Sequence, residues 1–501
     1  MLKSFFAKIY AGIISRQVYT WAKDPINTQN KVFKELISQA SKTKFGRDHK
    51  FETISSYQDF KKLVPVRDYE GLKGYISDIQ KGELNVLWKG KPLYFAKTSG
   101  TTSGAKYIPI TKESMPYQIA AAKEALLLYI AETGKADFVD GKMIFLQGSP
   151  EIDDSNKVQT GRLSGIVAHY VPKYLQKNRL PSWETNCIDD WESKVNAIVQ
   201  ETAVEDLRLI SGIPSWVQMY FEKLIEDQGK KVSEIFPNFN LFVYGGVNYE
   251  PYRQNMEQLI GKKVDSIELF PASEGFFAYQ DKQNKTNDSD KGMLLLLNSG
   301  IFYEFIVSED FYKESPERMT LEDVKIGVNY VLIISTNAGL WSYNIGDTIA
   351  FTSLSPFRII VTGRIKHFIS AFGEHVIGKE VEQAMQIASV NTNIQIKEFT
   401  VAPQVNPIEG ELPYHEWFIE FENEPENMIE FSKMIDEEMQ RQNTYYFDLI
   451  QGNILQQLKI SKVQKNGFDQ YMRSVGKLGG QNKIPRLAND RKIADQLQIL
   501  V

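Results

Sequence analysis

The sequence predicts an α/β protein built from two unequal parts, and three observations carry that expectation. Up to residue 365, stretches with apolar residues at helical spacing alternate with short apolar runs of strand character, the pattern of a sheet layered with helices. After Gly363-Arg364 the order of elements changes to that of a compact α+β unit. The length, 501 residues, exceeds what one hydrophobic core usually supports, so at least two domains are expected.

Along the chain, residues 1–23 place Leu2, Phe5, Phe6, Ile9, Tyr10, Ile13 and Val18 at helical spacing, with Lys3, Lys8 and Arg16 interleaved. Lys8 and Arg16 interrupt any signal-peptide core and no small-residue cleavage site follows. A helix docked on the body is expected, with a membrane-surface helix the weaker alternative. A short apolar strand covers 93–96. Helices are expected over 113–133, 190–206 and 214–228, and strands over 143–146, 241–244, 266–270, 293–297, 302–307 and 330–335. Beyond 365 the pattern predicts helices at 380–388, 427–442 and 468–475 and strands at 394–401, 416–422 and 458–463. The boundary falls near 366–376 and divides the chain into 1–370 and 371–501.

Hydrophobic residues make up 42% and charged residues 24%, ordinary globular values that argue against disorder. A net charge of −5 supplies no global basic field, so nucleic acid and stable membrane association are not expected and an anionic substrate must be met by local groups. The single Cys187 excludes an intramolecular disulfide framework and a Cys-rich metal site, which points to the cytoplasm. No apolar run approaches the ~20 residues of a membrane span.

Functional information concentrates in Thr98-Ser99-Gly100-Thr101-Thr102-Ser103-Gly104-Ala105-Lys106. Hydroxyls and glycines closing on a lysine directly after a strand suit a polyphosphate, which needs N–H, O–H and ammonium donors at close range. A Walker-type loop is excluded because Ala105 separates Gly104 from Lys106 and Tyr107 follows. An ordinary Gly/Ser/Thr turn is the alternative.

Residues 266–275 read as a strand running into a turn that presents Ser273 and Glu274. Such a pair can hold Mg²⁺ beside phosphates, since that ion takes one or two carboxylates and fills its other positions with water and phosphate. A strand-end turn explains the segment equally well. In Trp341-Ser342-Tyr343-Asn344-Ile345-Gly346-Asp347-Thr348 the acid could accept hydrogen bonds from two ribose hydroxyls, although a hairpin turn is the favoured reading of that segment alone. Gly363-Arg364 puts a cation near a strand end, and Gly479-Gly480-Gln481-Asn482-Lys483 is a glycine-flanked loop with one lysine. There is no Gly-x-Ser-x-Gly elbow, His415-Glu416 lacks a second histidine, and the five histidines are scattered.

Taken in order, these segments resemble the adenylate-forming enzymes, and more narrowly the auxin-responsive acyl acid amido synthetases (the Gretchen Hagen family) and their bacterial relatives, over almost the whole chain. The hydroxyl segment resembles the family's Ser-Ser-Gly-Thr-Ser loop, the second its Tyr-x-Ser-Ser-Glu and the third its Tyr-x-x-Gly-Asp. Gln481-x-Lys483-x-Pro485-Arg486 is similar to its C-terminal Gln-x-Lys-x-Pro-Arg. Thr98, the short Gly104 to Lys106 interval, Phe270, Ala272 and Asn344 depart from the pattern, which bears on acyl and amino acid preference more than on adenylation.

The resemblance implies a large N-terminal adenylation domain of layered sheets and helices with a small β-barrel, and a mobile C-terminal α+β lid turning about 364–376. It implies ATP and Mg²⁺ as cofactors, adenylation of a carboxylic acid with release of pyrophosphate, and transfer of the acyl group to an amine such as an amino acid. By the same resemblance Ser99, Thr101, Thr102, Ser103 and Lys106 hold the β- and γ-phosphates, Ser273 approaches the α-phosphate, and Glu274 holds Mg²⁺. Asp347 binds the ribose, Tyr343 lines the nucleotide pocket and Arg364 meets ribose or phosphate. Gly245-Gly246 resembles the adenine-side glycines, with a plain turn as alternative. Lys483 approaches the α-phosphate, so catalysis falls to Lys483, Glu274 and Arg364. Trp216 and Tyr220 border the acyl pocket or belong to a core helix. A thioester-forming acyl-CoA ligase and a non-catalytic nucleotide-binding scaffold are the competing readings.

Overall fold

The computed structural model describes residues 2–101, 104–171, 176–188, 191–246, 249–283, 290–365, 368–369, 371–374, 376–408, 410–475 and 484–500. Strands below are numbered among these residues.

The chain opens with α1 (Leu2–Ala22) and α2 (Pro25–Ala40). Proline at the first turn of α2 starts it without losing a hydrogen bond, and Val32, Phe33, Leu36, Ile37 and Ala40 form its buried stripe. The Tyr69–Lys81 helix is capped by Asp68, whose carboxylate accepts from Gly71 N–H, and ends at Gly82 with φ +100°. Next come a hairpin of β1 (Tyr94–Thr101) and β2 (Gly104–Ile110) and the Met115–Thr133 helix, on which α1 packs. Among the described residues no helix is long and apolar enough to cross a membrane.

Then follow β3 (Lys142–Phe145), β4 (Gln159–Gly161), β5 (Arg179–Leu180), β6 (Leu207–Ser211), β7 (Leu241–Gly245) and β8 (Asp265–Ala272). They are succeeded by β9 (Gly275–Tyr279), β10 (Met293–Leu295), β11 (Ile301–Val307), β12 (Asn329–Thr336), β13 (Tyr343–Leu354) and β14 (Phe357–Arg364). β4 joins β1 and β2, and the others form one eleven-stranded sheet in the order β11-β12-β13-β14-β10-β9-β8-β7-β6-β3-β5. The five strands from β8 to β5 run parallel, with helices Trp191–Thr202, Pro214–Gln228 and Glu250–Ile260 in the crossovers. β7 is buried along Leu241–Tyr244, as expected of a strand covered on both faces.

The sheet order is linear, so the described strands close no barrel, contrary to what the resemblance implied. β10 bridges β9 to β14 and carries the antiparallel strands on as an extension of the parallel sheet. The outer edge of β11 is covered locally by Met319, which exchanges both backbone hydrogen bonds with Phe305.

Beyond β14 lie β15 (Phe368–Ile369), β16 (Val376–Ile377), β17 (Ile396–Gln404), β18 (Tyr414–Phe421) and β19 (Lys459–Lys462), with helices Gly378–Thr392, Met428–Gln442 and Gly467–Ser474. β17 and β19 flank β18, and Val381, Ala384, Val401, Trp417, Ile419, Phe431 and Ile435 make a separate core. Trp216 and Met219 of the Pro214–Gln228 helix pack against that core.

Candidate active site

The hydroxyl-rich segment is a hairpin, not an open loop. β1 and β2 pair regularly from Tyr94↔Ile110 to Thr98↔Lys106, the ladder then becomes irregular, and Thr101 faces Gly104. Buried Phe95, Ala96, Ile108 and Ile110 fix its base, and β4 pairs with β1 only at Tyr94–Ala96, so the tip extends past that neighbour. Half-buried Lys106 stands across the ladder from Thr98. The backbone places Ser99 and Thr101 on β1, while Thr102 and Ser103 lie outside the described residues.

Ser273 and Glu274 form the two-residue connection of the β8–β9 hairpin, with Ala272 facing Gly275, and both are half-buried. This turn sits at the C-terminal edge of the parallel strands. Gly245 ends the adjacent β7 opposite Leu269, and Gly246 follows with φ +83°. Ligands of open α/β sheets bind at such an edge. Gly245 is also required for packing, because a Cβ there would lie 2.6 Å from the Leu269 carbonyl oxygen. Among the described residues, a Cβ at Gly246 would meet only Ile213 Cγ1, at 4.0 Å.

Gly346-Asp347 is not the hairpin turn that its sequence alone favoured. The chain reverses between Thr336 and Tyr343, and Gly346 (φ +91°) and Asp347 lie inside β13, at an irregularity in its pairing with β12. Asn344 Oδ1 accepts from Gly346 N–H at 2.8 Å and holds the local bend. Asp347, 6% exposed, faces Arg364 of β14 directly across the ladder. Tyr343 is fully buried in the main core. Just ahead of it, buried Ser342 adopts φ +43° and is gripped by the Glu304–Arg318 ion pair: its hydroxyl donates to Glu304 at 2.9 Å and accepts from Arg318 at 2.6 Å.

Three residues that the sequence reading missed connect these segments. Arg67 donates its N–H to Ser342 O and accepts from Asn344 N–H, and Tyr69, two residues on, accepts from Tyr107 N–H at 3.0 Å. The stretch 67–69 therefore ties the β1–β2 hairpin to the Asp347 strand. Gln118 Nε2 donates to Ala272 O at 3.3 Å, just before Ser273. Burial pushes the Tyr69 phenol up from its ordinary pKa, opposed by the Tyr107 hydrogen bond, which keeps it neutral. Nothing in the local spacing marks Arg67, Tyr69 or Gln118, since each acts through a contact made by folding.

Lys483 and its loop from 476 lie outside the described residues. The residues after it are tied to β17: Val401 N–H donates to Arg486 O, Ala488 N–H donates to Val401 O, and Arg486 pairs with Glu398. Tyr220 is a core residue, fully buried with its hydroxyl 2.7 Å from Thr202 Oγ1, which removes it from any pocket wall. Trp216 lies between the core of its own helix and the C-terminal core.

The residues present fit a nucleotide with Mg²⁺. A buried carboxylate and a cationic residue share one rung, and the turn between β8 and β9 presents Glu274 at the edge of the parallel strands. A single carboxylate with water and phosphate completing the shell is the habit of Mg²⁺.

The architecture has solved counterparts. The GH3.15 acyl acid amido synthetase superposes with a TM-score of 0.60 at 16% identity, over 99% of this chain and 96% of that one. A 2-hydroxyisobutyryl-CoA ligase, crystallised with an acyl-AMP and CoA, superposes with a TM-score of 0.54 at 12% identity, over 99% and 92%. The fold is shared with these two enzymes. Models of the GH3 family N-terminal, central and C-terminal domains match residues 15–195, 294–364 and 379–492. The indole-3-acetic acid-amido synthetase GH3.3 of Arabidopsis thaliana is 21% identical over 94% of this chain and 90% of its own length. The chain belongs to the GH3 family.

Proposed function

We propose that this protein is an ATP-dependent acyl acid amido synthetase: it adenylates a carboxylic acid, releases pyrophosphate and passes the acyl group to the amine of an amino acid. Membership of the family supports this reading, as do its relative, which is named an amido synthetase, and the likeness of its fold to enzymes of acyl-adenylate chemistry. The observation that carries it is the rung shared by Asp347 and Arg364, with Gly346 held by Asn344.

In this reading Asp347 accepts hydrogen bonds from the ribose hydroxyls, and Arg364 places positive charge by ribose or phosphate. Ser99, Thr101, Thr102, Ser103 and Lys106 hold the β- and γ-phosphates, and Ser273 meets the α-phosphate. Gly245-Gly246 borders the adenine, and Tyr343, fully buried, supports the strand behind the pocket rather than lining it. Glu274 would hold Mg²⁺, which supplies charge neutralisation between two anions that must approach each other. Residues 1–370 act as the adenylation domain and 371–501 as a lid that turns about 364–376 and brings Lys483 to the α-phosphate, excluding water from the reactive adenylate.

The test is carboxylate-dependent exchange of pyrophosphate into ATP across a panel of acids with Mg²⁺, then product analysis with amino acids and with coenzyme A on the best acid. Exchange followed by amide formation is expected. Thioester formation in place of amide would replace this reading with a CoA ligase, and ATP binding without exchange would leave a scaffold.

A further inference from the structure

The first helix is built inside out for an ordinary surface helix. α1 turns Ala7, Ala11, Ile14, Val18 and Ala22 toward the body, where they pack on the Met115–Thr133 helix, and its larger apolar groups point away. Phe5 is 60% exposed, Phe6 60%, Ile9 51%, Tyr10 43% and Ile13 49%. At about 3.6 residues per turn these five fall on the side of the helix opposite the docked one. The docking is firm, since Tyr19 donates at 2.7 Å to Asp281, itself held by buried Arg358. The outward band is therefore a fixed surface feature.

Charge decides what covers it. The chain carries 63 acidic residues in 501, which would place about three in its first 23, yet residues 1–23 contain none and carry Lys3, Lys8, Arg16 and Lys23. Lys3 and Lys8 flank the apolar band on either side and Arg16 follows one turn later, all exposed. Lys123 of the neighbouring helix stands 5.7 Å over the Tyr10 ring and adds a fifth cation. Asp140, close to the start of the helix, accepts a hydrogen bond from the Ser4 hydroxyl. In a protein of net charge −5, the first 23 residues thus carry four basic residues and no acid.

We propose that this face of α1 binds the surface of an anionic phospholipid bilayer, with Phe5, Phe6, Ile9, Tyr10 and Ile13 entering the interface and Lys3, Lys8, Arg16 and Lys123 meeting lipid phosphates. An amphipathic helix lying in the interface plane combines these two ingredients, and polybasic attraction strengthens it. The association is peripheral and reversible, and it does not depend on the reaction proposed above.

The full chain is sedimented with vesicles of phosphatidylcholine alone and of equimolar phosphatidylcholine and phosphatidylglycerol, at low and high salt. Binding to the anionic vesicles only, weakened by salt, is expected. Replacing Lys3, Lys8 and Arg16 together by Gln should lower the partition coefficient about a hundredfold, at roughly fivefold per basic residue. The combination Phe5→Ser, Ile9→Ser and Ile13→Ser should abolish binding, with melting temperature retained because these side chains face outward. Absence of binding, equal binding to both vesicle types, or wild-type binding by either variant overturns the proposal. So does a wild-type dimer by light scattering that the serine variant converts to monomer, which assigns the face to a second copy.

Discussion

Asp347 stands directly opposite Arg364 across the β13–β14 ladder, so two residues 17 positions apart in sequence share one rung at the end of a strand. Their pairing puts residues of two separate motifs on one rung of the sheet.

Because Asp347 is buried, its role is best tested by the isosteric Asp347→Asn. Charge-assisted hydrogen bonds contribute ~1.5–3 kcal/mol each, so ATP should bind at least ~10-fold more weakly by calorimetry. The melting temperature should move by no more than about 4 °C, the effect of roughly 1 kcal/mol or less. Undiminished ATP affinity would show that the carboxylate serves the strands alone.

Lys483→Ala should separate the half-reactions. Pyrophosphate exchange is expected to fall by ~10²-fold or more, as when a principal charge contact is removed, while amide formation from supplied acyl-adenylate changes far less. Wild-type rates in both assays would make Lys483 an ordinary surface lysine.

Stability should fall in weak acid through His49. Its ring stacks on Phe45, Nδ1–H donates to Phe45 O at 2.9 Å, and Nε2 accepts from Arg67 Nη2 at 3.0 Å. Burial, aided by the Arg67 charge, lowers its pKa below the ordinary 6.5, with the Phe45 hydrogen bond opposing. The unfolded chain then binds the proton more readily. Stability is present above 6.5 and is lost as pH drops through that value toward the lowered one. His49→Gln should flatten the melting temperature between neutral and mildly acid pH, and identical curves would exclude His49 as a source. Since Arg67 also holds Ser342 and Asn344, KM for ATP should rise over the same range in the wild type only.

Glu374 and His415 form a buried pair at 2.8 Å, and the other Glu374 oxygen accepts from Phe372 N–H. Leaving a buried hydrogen-bonding group without its partner costs ~1–3 kcal/mol, so Glu374→Ala should lower the free energy of urea unfolding by about that amount. The side chain commits residue 374 to the C-terminal core, so any turning of that unit should occur before Phe372. Cross-linking that blocks motion between 372 and 376 should accordingly leave both half-reactions intact.

Much of the architecture was legible because it depends on near neighbours. Apolar periodicity placed the Pro214–Gln228 and Met428–Gln442 helices and strands β7, β8, β11 and β12 within a few residues of where they lie. The types of residue in the motifs were equally local, since a carboxylate after glycine or a run of hydroxyls before lysine can be read without a partner. β6 escaped notice because its short run, Leu207–Ser211, directly follows a helical pattern with no turn signal between them.

What the sequence determined by itself, then, was the alternation of elements and the chemistry available in each motif. Tertiary structure decided which groups meet. Asp347 reads as a turn residue until β14 pairs beside it, the hydroxyl segment reads as a loop until β2 folds back on β1, and Arg67 means nothing until it bridges Ser342 and Asn344. The open sheet and the outward rings of α1 were likewise settled by long-range pairing and burial. Periodicity fixes the faces of an element, whereas strand register and the choice of buried face depend on residues distant in sequence that compete to cover the same surface.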